Sequence, residues 1–429
     1  MLIRRITTAI AGVLALVGCA PTSFKIPGAP VGEAAYTAFY PTYAEVCAVS
    51  QISKIPGFGA DLRGGSGGHS VLYLNGACLD GAGYPVLRAC RAGDPDTGVG
   101  ISANAHFRNA NWVAIPGREL FFHGLLADGA RLDQAAYART QKAAKRLGLY
   151  DAVQFYPEYF ADKPAGVAER DWKYEISVAT DYAIDFGRGR YCARQPVSPA
   201  QMARMIAFLN ARNDVYRDGH ADYEWNVLED NCSHLTHNAL AATGLWDEWP
   251  IDRFVLVAAL DFPVPKNEFV NLMRRTNDLP VDDLAAIYED PAARRMVLAG
   301  DGLPTRPGAL ADAAPARPNN ALYRTDLRLI FYDEALTGRY ARRLDMIEAN
   351  PRYHDLAANL HYFDQLDTKI TVTRHPLQWW QTHNPSVAAN ADFAPFYQAY
   401  YAAIDRQQTD TSIALARLAS TRPMALLVQ

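Results

Sequence analysis

A cysteine stands at the predicted start of a helix in this 429-residue chain. Asn231 is a good helix N-cap, Cys232 follows it directly, and Gly244 is a natural terminator. The start of a helix carries about half a positive charge and unused main-chain N–H groups, which stabilise a thiolate and an oxyanion. We therefore expect Cys232 to be a nucleophile whose pKa lies below that of a free thiol. The alternative is a small buried apolar residue that happens to begin a helix.

A histidine far upstream has the position that a base for this thiol requires. His69 follows the glycine-dense stretch 64–68 and begins the segment 69–74, which has the composition of a β-strand. A histidine at a strand end can point toward the start of a packed helix, take the proton of a thiol and return it to the leaving group. The alternative is a surface or hydrogen-bonded histidine with a structural role.

The order of these two motifs resembles a known family. A Gly-His pair at 68–69 begins an apolar strand, and Asn-Cys-Ser-His at 231–234 begins a helix far downstream. This pattern resembles the circularly permuted NlpC-like branch of the papain fold, which includes the lecithin:retinol acyltransferase relatives. The stretch from about 60 to 245, with its middle segment 169–175, is also similar to an uncharacterised family of bacterial periplasmic domains of that branch. The resemblance covers less than half of the chain.

The resemblance implies a catalytic pair and a fold. It identifies Cys232 as the nucleophile and His69 as the base, on an antiparallel sheet packed against the helix that bears the cysteine. It does not identify the polar residue that usually orients the histidine. His234 is expected to cap the helix or support the site, and Asn231 to be both N-cap and site residue. The other candidates for the third member are Asp94, Asp96, Ser102, Asn104, His106 and His123.

Other chemistries are less well supported by the sequence. His234 and His237 are spaced as two metal ligands on a helix, but no second Cys/His cluster with zinc spacing accompanies them. No phosphate-binding loop and no serine nucleophile elbow is present. A net charge of −4 gives no electrostatic footprint for nucleic acid. We therefore expect no cofactor, no metal and no nucleic-acid partner.

The first residues predict export and lipid attachment. Arg4 and Arg5 precede the apolar run 6–17, which is too short to span a bilayer. Leu-Val-Gly-Cys at 16–19 resembles the lipobox of bacterial lipoproteins, in which the cysteine, here Cys19, is lipidated. With Ala at position 20, the analogy favours the outer membrane, so we expect a lipid-anchored, periplasm-facing envelope protein. An ordinary secretory signal is the alternative.

The six cysteines fit an oxidising compartment. If Cys19 carries lipid, five remain, so at least one has no partner within the chain. Cys78 and Cys90 flank a plausible hairpin and are a candidate disulfide, and Cys47 and Cys192 could form a second. Four cysteines allow three pairings, so this assignment is a hypothesis.

The pattern of apolar residues predicts an α+β domain followed by a helical extension. We expect a first helix over 43–54. We expect further helices over 133–147 and from 198. The expected strands are 69–74, 84–90, 99–103, 112–115 and 173–179. The predicted organisation is a signal peptide at 1–18, a tether at 19–34, a papain-like α+β domain at 35–255 and a helical extension at 256–429 with a Pro/Ala/Gly-rich linker at 301–320.

These expectations combine into one function and one rival. We expect an envelope-anchored thiol hydrolase or acyltransferase that cleaves an amide or ester through an acyl-enzyme on Cys232. The expected substrates are an envelope peptide, a glycan-linked peptide or a lipid acyl group. The rival is a non-catalytic envelope lipoprotein, a scaffold or assembly factor, with a vestigial papain-like fold.

Overall fold

The computed structural model describes residues 32–57, 59–60, 63–64, 68–81, 83–251, 263–325 and 339–421. The predicted signal peptide, Cys19 and all but the last three residues of the predicted tether lie outside the described residues. So does the predicted domain boundary at 255.

The core of the protein is a six-stranded antiparallel sheet. Its strands lie in the order β10-β9-β1-β4-β7-β8, and every neighbouring pair is antiparallel. Two small two-stranded sheets, β2-β3 and β5-β6, accompany it. The strands are β1 (Tyr43–Val49), β2 (Ile52–Ser53), β3 (Arg63–Gly64), β4 (His69–Asn75), β5 (Ala77–Leu79), β6 (Leu87–Ala89), β7 (Gly98–Ser102), β8 (Val113–Pro116), β9 (Arg190–Pro196) and β10 (Leu310–Ala314).

Helices surround the sheet and make up most of the chain after residue 263. They are α1 (Glu33–Phe39), α2 (Arg118–Phe121), α3 (Gln134–Arg146), α4 (Glu169–Ser177), α5 (Pro199–Arg217), α6 (Cys232–Ala241), α7 (Pro265–Asn277), α8 (Leu284–Glu289), α9 (Pro291–Leu298), α10 (Arg339–Ala349), α11 (Leu356–Val372), α12 (Leu377–His383), α13 (Pro385–Ala388) and α14 (Phe393–Thr421). Short 3-10 turns lie at Pro157–Phe160, Ile184–Phe186 and Pro351–Tyr353.

Two predicted elements have the wrong type. The helix predicted over 43–54 is the strand β1, which lies between β4 and β9 and is buried along its whole length. A strand covered on both faces is apolar on both faces, so it lacks the alternation that identifies a half-exposed strand. The strand predicted over 173–179 lies largely in α4, whose buried residues Trp172 and Ile176 are four positions apart, as on one face of a helix.

Both faces of the sheet are covered. On one face, Leu72 and Leu74 of β4 pack in a cluster with residues of α5, α6 and α7. On the other face, Val71 and Tyr73 pack in an aromatic-rich cluster with residues of α2, α3 and α4. Because successive side chains of a strand point to opposite faces, Ser70 faces the cysteine-bearing helix α6 and His69 faces the aromatic cluster.

The C-terminal half is built onto this sheet. Helix α7 packs against β1 and β9. Strand β10 pairs with β9, from Leu310 opposite Arg194 to Ala314 opposite Arg190. Five residues of the segment 301–320, which was predicted as a linker, thus form an edge strand of the sheet. Its small residues allow a strand as readily as a loop, and pairing with β9 decides between them.

Two disulfides join parts of the sheet region. Cys47 in β1 bonds to Cys192 in β9, and Cys78 bonds to Cys90 across the β5-β6 hairpin. Disulfides persist in oxidising compartments, so they indicate an extracytoplasmic location. Among the described cysteines, Cys232 is the free one. None of the helices in the described ranges is both long enough and apolar enough to cross a membrane.

Candidate functional site

The start of α6 is fixed by its own sequence. The Asn231 side-chain oxygen accepts hydrogen bonds from the main-chain N–H groups of Ser233 (2.8 Å) and His234 (3.2 Å). In return, Nδ1 of His234 accepts the N–H of Asn231 at 3.3 Å. This capping box uses two of the N–H groups at the helix start. It leaves the N–H of Cys232, for which the described residues supply no acceptor.

The thiol lies against the strand that begins with His69. The Ser70 main-chain N–H donates to Sγ of Cys232 at 3.4 Å, and the Ser70 hydroxyl shares a 2.9 Å hydrogen bond with Thr236 of α6. The last β4-β7 pair is Val71 with Ser102, so Ser70 lies one residue beyond that ladder. Main-chain N–H groups point sideways in the plane of a sheet. The sulfur therefore lies beside β4, at the position that the next residue of β7 would occupy if that strand continued.

The imidazole of His69 is held on the same stretch of β4. Its Nε2 lies 3.1 Å from Oγ of Ser102, the last residue of β7. Ser102 donates its only hydroxyl proton to Asp181 at 2.8 Å, so its oxygen must accept from His69. This assigns the proton of the neutral ring to Nε2. Nδ1 then carries the lone pair that a base needs, and no partner for it is found in the described ranges.

Asp181 is the centre of this network. It accepts from Ser102, from the Nδ2 group of Asn104, and from Nε2 of His106 at 2.9 Å. Although burial alone would raise its pKa, the charge and hydrogen bond of His106 and the bond from Ser102 hold the pKa of this carboxyl below its usual value. Three of the candidate third members thus lie in the network: Ser102 contacts His69 directly, whereas Asn104 and His106 reach it through Ser102 and Asp181.

Sequence reasoning missed Asp181. It lies just after α4, in a turn where Ala179 and Ala183 both have positive φ. A signal was present, because Asp181 is one of two aspartates, with Asp185, within the mostly apolar and aromatic run 176–186. A carboxylate at such a position requires hydrogen-bond donors around it.

The other acidic candidates lie elsewhere. Strand β4 pairs with β7 so that Asn75 is opposite Gly98, and His69 is at the far end of β4 from that pair. Asp94 and Asp96 precede Gly98 and are therefore at the wrong end of the sheet. Asp94 forms an ion pair with Arg88 instead. The outlying candidate His123 pairs with Asp185.

The electrostatics differ from the sequence expectation. Burial lowers the pKa of His69 to about 3, with a further lowering from Arg188. Burial also raises the pKa of the Cys232 thiol, against the smaller lowering effects of the Ser70 and Ser233 hydrogen bonds and of Arg188. The expected lowered thiol pKa is therefore wrong, because removal from water outweighs the effect of the helix start. At neutral pH the pair rests as thiol and neutral imidazole.

The metal-like histidine spacing has a structural explanation. His237 stacks on Trp246, and its ring nitrogens contact Glu268 (2.6 Å) and the carbonyl oxygen of Asp247 (3.0 Å). In the described part of the chain, the clusters with metal-ligand geometry each contain both cysteines of one disulfide, whose sulfurs are not thiolate ligands.

Comparison of the chain with protein-family models, curated proteins and solved structures finds no match.

Proposed function

We propose that the protein is an envelope-anchored thiol hydrolase or acyltransferase with a permuted papain-like core, in which Cys232 is the nucleophile and His69 the base. The observation that carries the proposal is the free thiol at a capped helix start, hydrogen-bonded to the residue that follows a histidine whose Nδ1 carries the lone pair. A nucleophile, a base and a group that orients the base are the three parts of such a site.

The neutral resting state defines the order of proton transfers. Nδ1 of His69 takes the thiol proton as Sγ of Cys232 forms a bond to the carbonyl carbon of an amide or ester. The main-chain N–H of Cys232 is available to the developing oxyanion. As the tetrahedral intermediate collapses, the carbonyl carbon–nitrogen or carbon–oxygen bond breaks and Nδ1–H protonates the leaving group. The thioester is then attacked by water in a hydrolase, or by an acceptor amine or hydroxyl in an acyltransferase.

The network behind His69 supports this sequence of steps. During proton transfer the ring becomes a cation, which the ionised carboxylate of Asp181 stabilises through Ser102. The same hydrogen bonds fix the ring orientation and the tautomer. Ser102 and Asp181 are thus the orienting groups, and Asn104 and His106 hold Asp181.

The proposed location and substrates follow from the leader and the disulfides. The lipobox-like sequence that ends at Cys19 and the two disulfides fit a lipid-anchored protein that faces the periplasm, with the outer membrane favoured. Amides and esters within reach of such a protein are peptides, glycan-linked peptides and lipid acyl groups.

Capture of the acyl-enzyme tests the proposal. The full-length protein in detergent is mixed with p-nitrophenyl butyrate and analysed by intact mass spectrometry and peptide mapping. We expect one hydroxylamine-sensitive butyryl group on Cys232, absent in Cys232→Ser and formed much more slowly in His69→Ala. His123→Ala is the matched control, because His123 contacts Asp185 and lies outside the network. Acylation that is indifferent to His69 would contradict the proposal.

A non-catalytic envelope scaffold is the second candidate. It is favoured by the burial of both side chains, since Cys232 and His69 are each only 6% exposed. Under this candidate, Cys232 reacts with no acyl donor in the folded protein, and His69→Ala changes stability alone.

A further inference from the structure

Arg188 is a buried cation whose hydrogen-bond partners are uncharged. It is 4% exposed, and it donates from Nε to the carbonyl oxygen of Ala179 (2.8 Å) and from Nη1 to that of Ser50 (2.7 Å). In the described part of the chain no carboxylate forms an ion pair with it. The buried Arg118, Arg190 and Arg194 each pair with a carboxylate. A buried charge without a counterion is costly, and a neighbouring group that becomes negative would offset that cost.

The topology places Arg188 at the end of the sheet where the thiol lies. Ser50 follows the last residue of β1, Val49, which is paired with His69. The Ser50 N–H also donates to the carbonyl oxygen of Gly189, next to Arg188. Arg188, His69 and the Ser70 N–H that holds the sulfur are therefore together where β9, β1 and β4 end on the same side.

The charges around the sulfur are few. The ionisable groups whose charge acts on Arg188 are Cys232, Asp181 and Tyr323. Asp181 is already satisfied by three donors, and burial raises the pKa of Tyr323 far above neutral. Near the thiol, burial likewise keeps Tyr223 neutral, and Asp230 is paired with Arg212. A thiolate on Cys232 is thus the acidic group that this guanidinium lacks.

We propose that Arg188 is a positioning residue that stabilises the negative charge on the Cys232 sulfur when His69 removes its proton. The inference rests on the proposed function. In this inference His69 accepts the thiol proton, and Arg188 stabilises the thiolate that remains. A guanidinium suits this role because, although burial lowers the pKa of Arg188 to about 10, the group stays charged at neutral pH.

The pH dependence of Cys232 alkylation tests the inference. Iodoacetamide is reacted with the full-length protein from about pH 7 to about pH 11, and modification of Cys232 is followed by peptide mass spectrometry. We expect Arg188→Gln to move the midpoint upward by about one pH unit, which is about a tenfold lower rate below the midpoint. The midpoint of Arg188→Lys, which keeps a positive charge on a flexible side chain, should lie between those of the wild type and Arg188→Gln. Arg317→Gln is the matched control, because Arg317 is buried and donates to three main-chain carbonyls, those of Leu126, Ala127 and Ala130.

A measurement on the unaltered protein covers the case in which Arg188→Gln does not fold. Next to a cation, a thiol reacts relatively faster with anionic iodoacetate than with neutral iodoacetamide. We expect the ratio of the two rates at Cys232 to exceed that of an uncharged model cysteine, N-acetylcysteine amide, under the same conditions. An equal or lower ratio overturns the inference, as does an unchanged pH profile in a folded Arg188 variant. If His69→Ala still abolishes acylation in that event, the proposed function stands without Arg188.

Discussion

Two buried histidines of this protein show how a site differs from a structural cluster. His237 in α6 uses both ring nitrogens, one on Glu268 and one on the carbonyl oxygen of Asp247, and it stacks on Trp246. His69 at the start of β4 uses one nitrogen, on Ser102. Both nitrogens of the His237 ring are used in contacts that hold α6 to α7 and to the loop at Asp247. The His69 ring is oriented by one nitrogen and keeps a lone pair on the other, which is what proton transfer requires.

The largest expected effect separates the two histidines by rate. His69→Ala removes the base, so we expect the rate of acylation of Cys232 to fall by about 10²–10⁴-fold. His237→Ala, compared at equal amounts of folded protein, should keep most of that rate. Single-turnover acylation with p-nitrophenyl butyrate provides the measurement. A larger loss of rate in His237→Ala than in His69→Ala would reverse the comparison.

The carboxylate behind His69 should have the next largest effect. Asp181→Asn replaces the acceptor of the Ser102 hydroxyl proton with an amide, which releases the fixed tautomer of His69. We expect about a 10²-fold lower rate of acylation, with nucleophile and base still present. Glu268→Gln is the matched control, because Glu268 is the buried carboxylate behind His237. Equal losses in the two variants would show that the Asp181 network has no special link to the chemistry.

The free energy of unfolding should fall more when His237 is replaced than when His69 is replaced, which is the reverse of the order expected for the rate of acylation. Removing the His237 ring leaves Glu268 buried without its ion partner and with a hydrogen bond from Asn271, which costs about 3 kcal/mol of the free energy of unfolding. Urea unfolding followed by fluorescence measures this loss. We expect the loss from His237→Ala to exceed that from His69→Gln, which leaves a polar side chain beside Ser102. A larger loss of unfolding free energy in His69→Gln than in His237→Ala would contradict this prediction.

Of the residues in the proposed site, sequence reasoning named Cys232, His69 and Ser102 and missed Asp181. Local patterns, a helix cap and a strand start, indicate Cys232, Asn231 and His69. Asp181 could not be assigned, because its neighbours Ser102 and His106 meet it only through folding. The thiol pKa was predicted in the wrong direction for the same reason, since local sequence shows the helix start but not the depth of burial.

The fold was predictable to a similar extent. The α+β composition, the helices over 133–147 and from 198, and the helical C-terminal half follow from patterns of apolar residues. Strand β1 and edge strand β10 were missed, because one is buried on both faces and the other is defined by its pairing with β9.

Burial of His69 should also make the stability of the protein depend on pH. The pKa of His69 is about 3 in the folded protein and near 6.5 in the unfolded chain. Because the folded value is depressed, stability is fully present above about pH 6.5 and is lost as pH falls toward 3, by at most about 1.4 kcal/mol per pH unit. His69→Gln should remove this component, whereas exposed His383→Gln should leave the slope unchanged. Urea unfolding at several pH values checks it, and equal slopes in wild type and His69→Gln would refute the burial of a neutral ring.

The tautomer of His69 tests the central claim most directly. Nitrogen-15 NMR of the imidazole distinguishes a protonated from an unprotonated ring nitrogen. We predict that, at neutral pH, Nε2 of His69 carries the proton and Nδ1 does not, and that the Nδ1 signal shifts in Cys232→Ser. A proton on Nδ1, or a signal indifferent to the change at Cys232, would contradict the assignment of His69 as the base for this thiol.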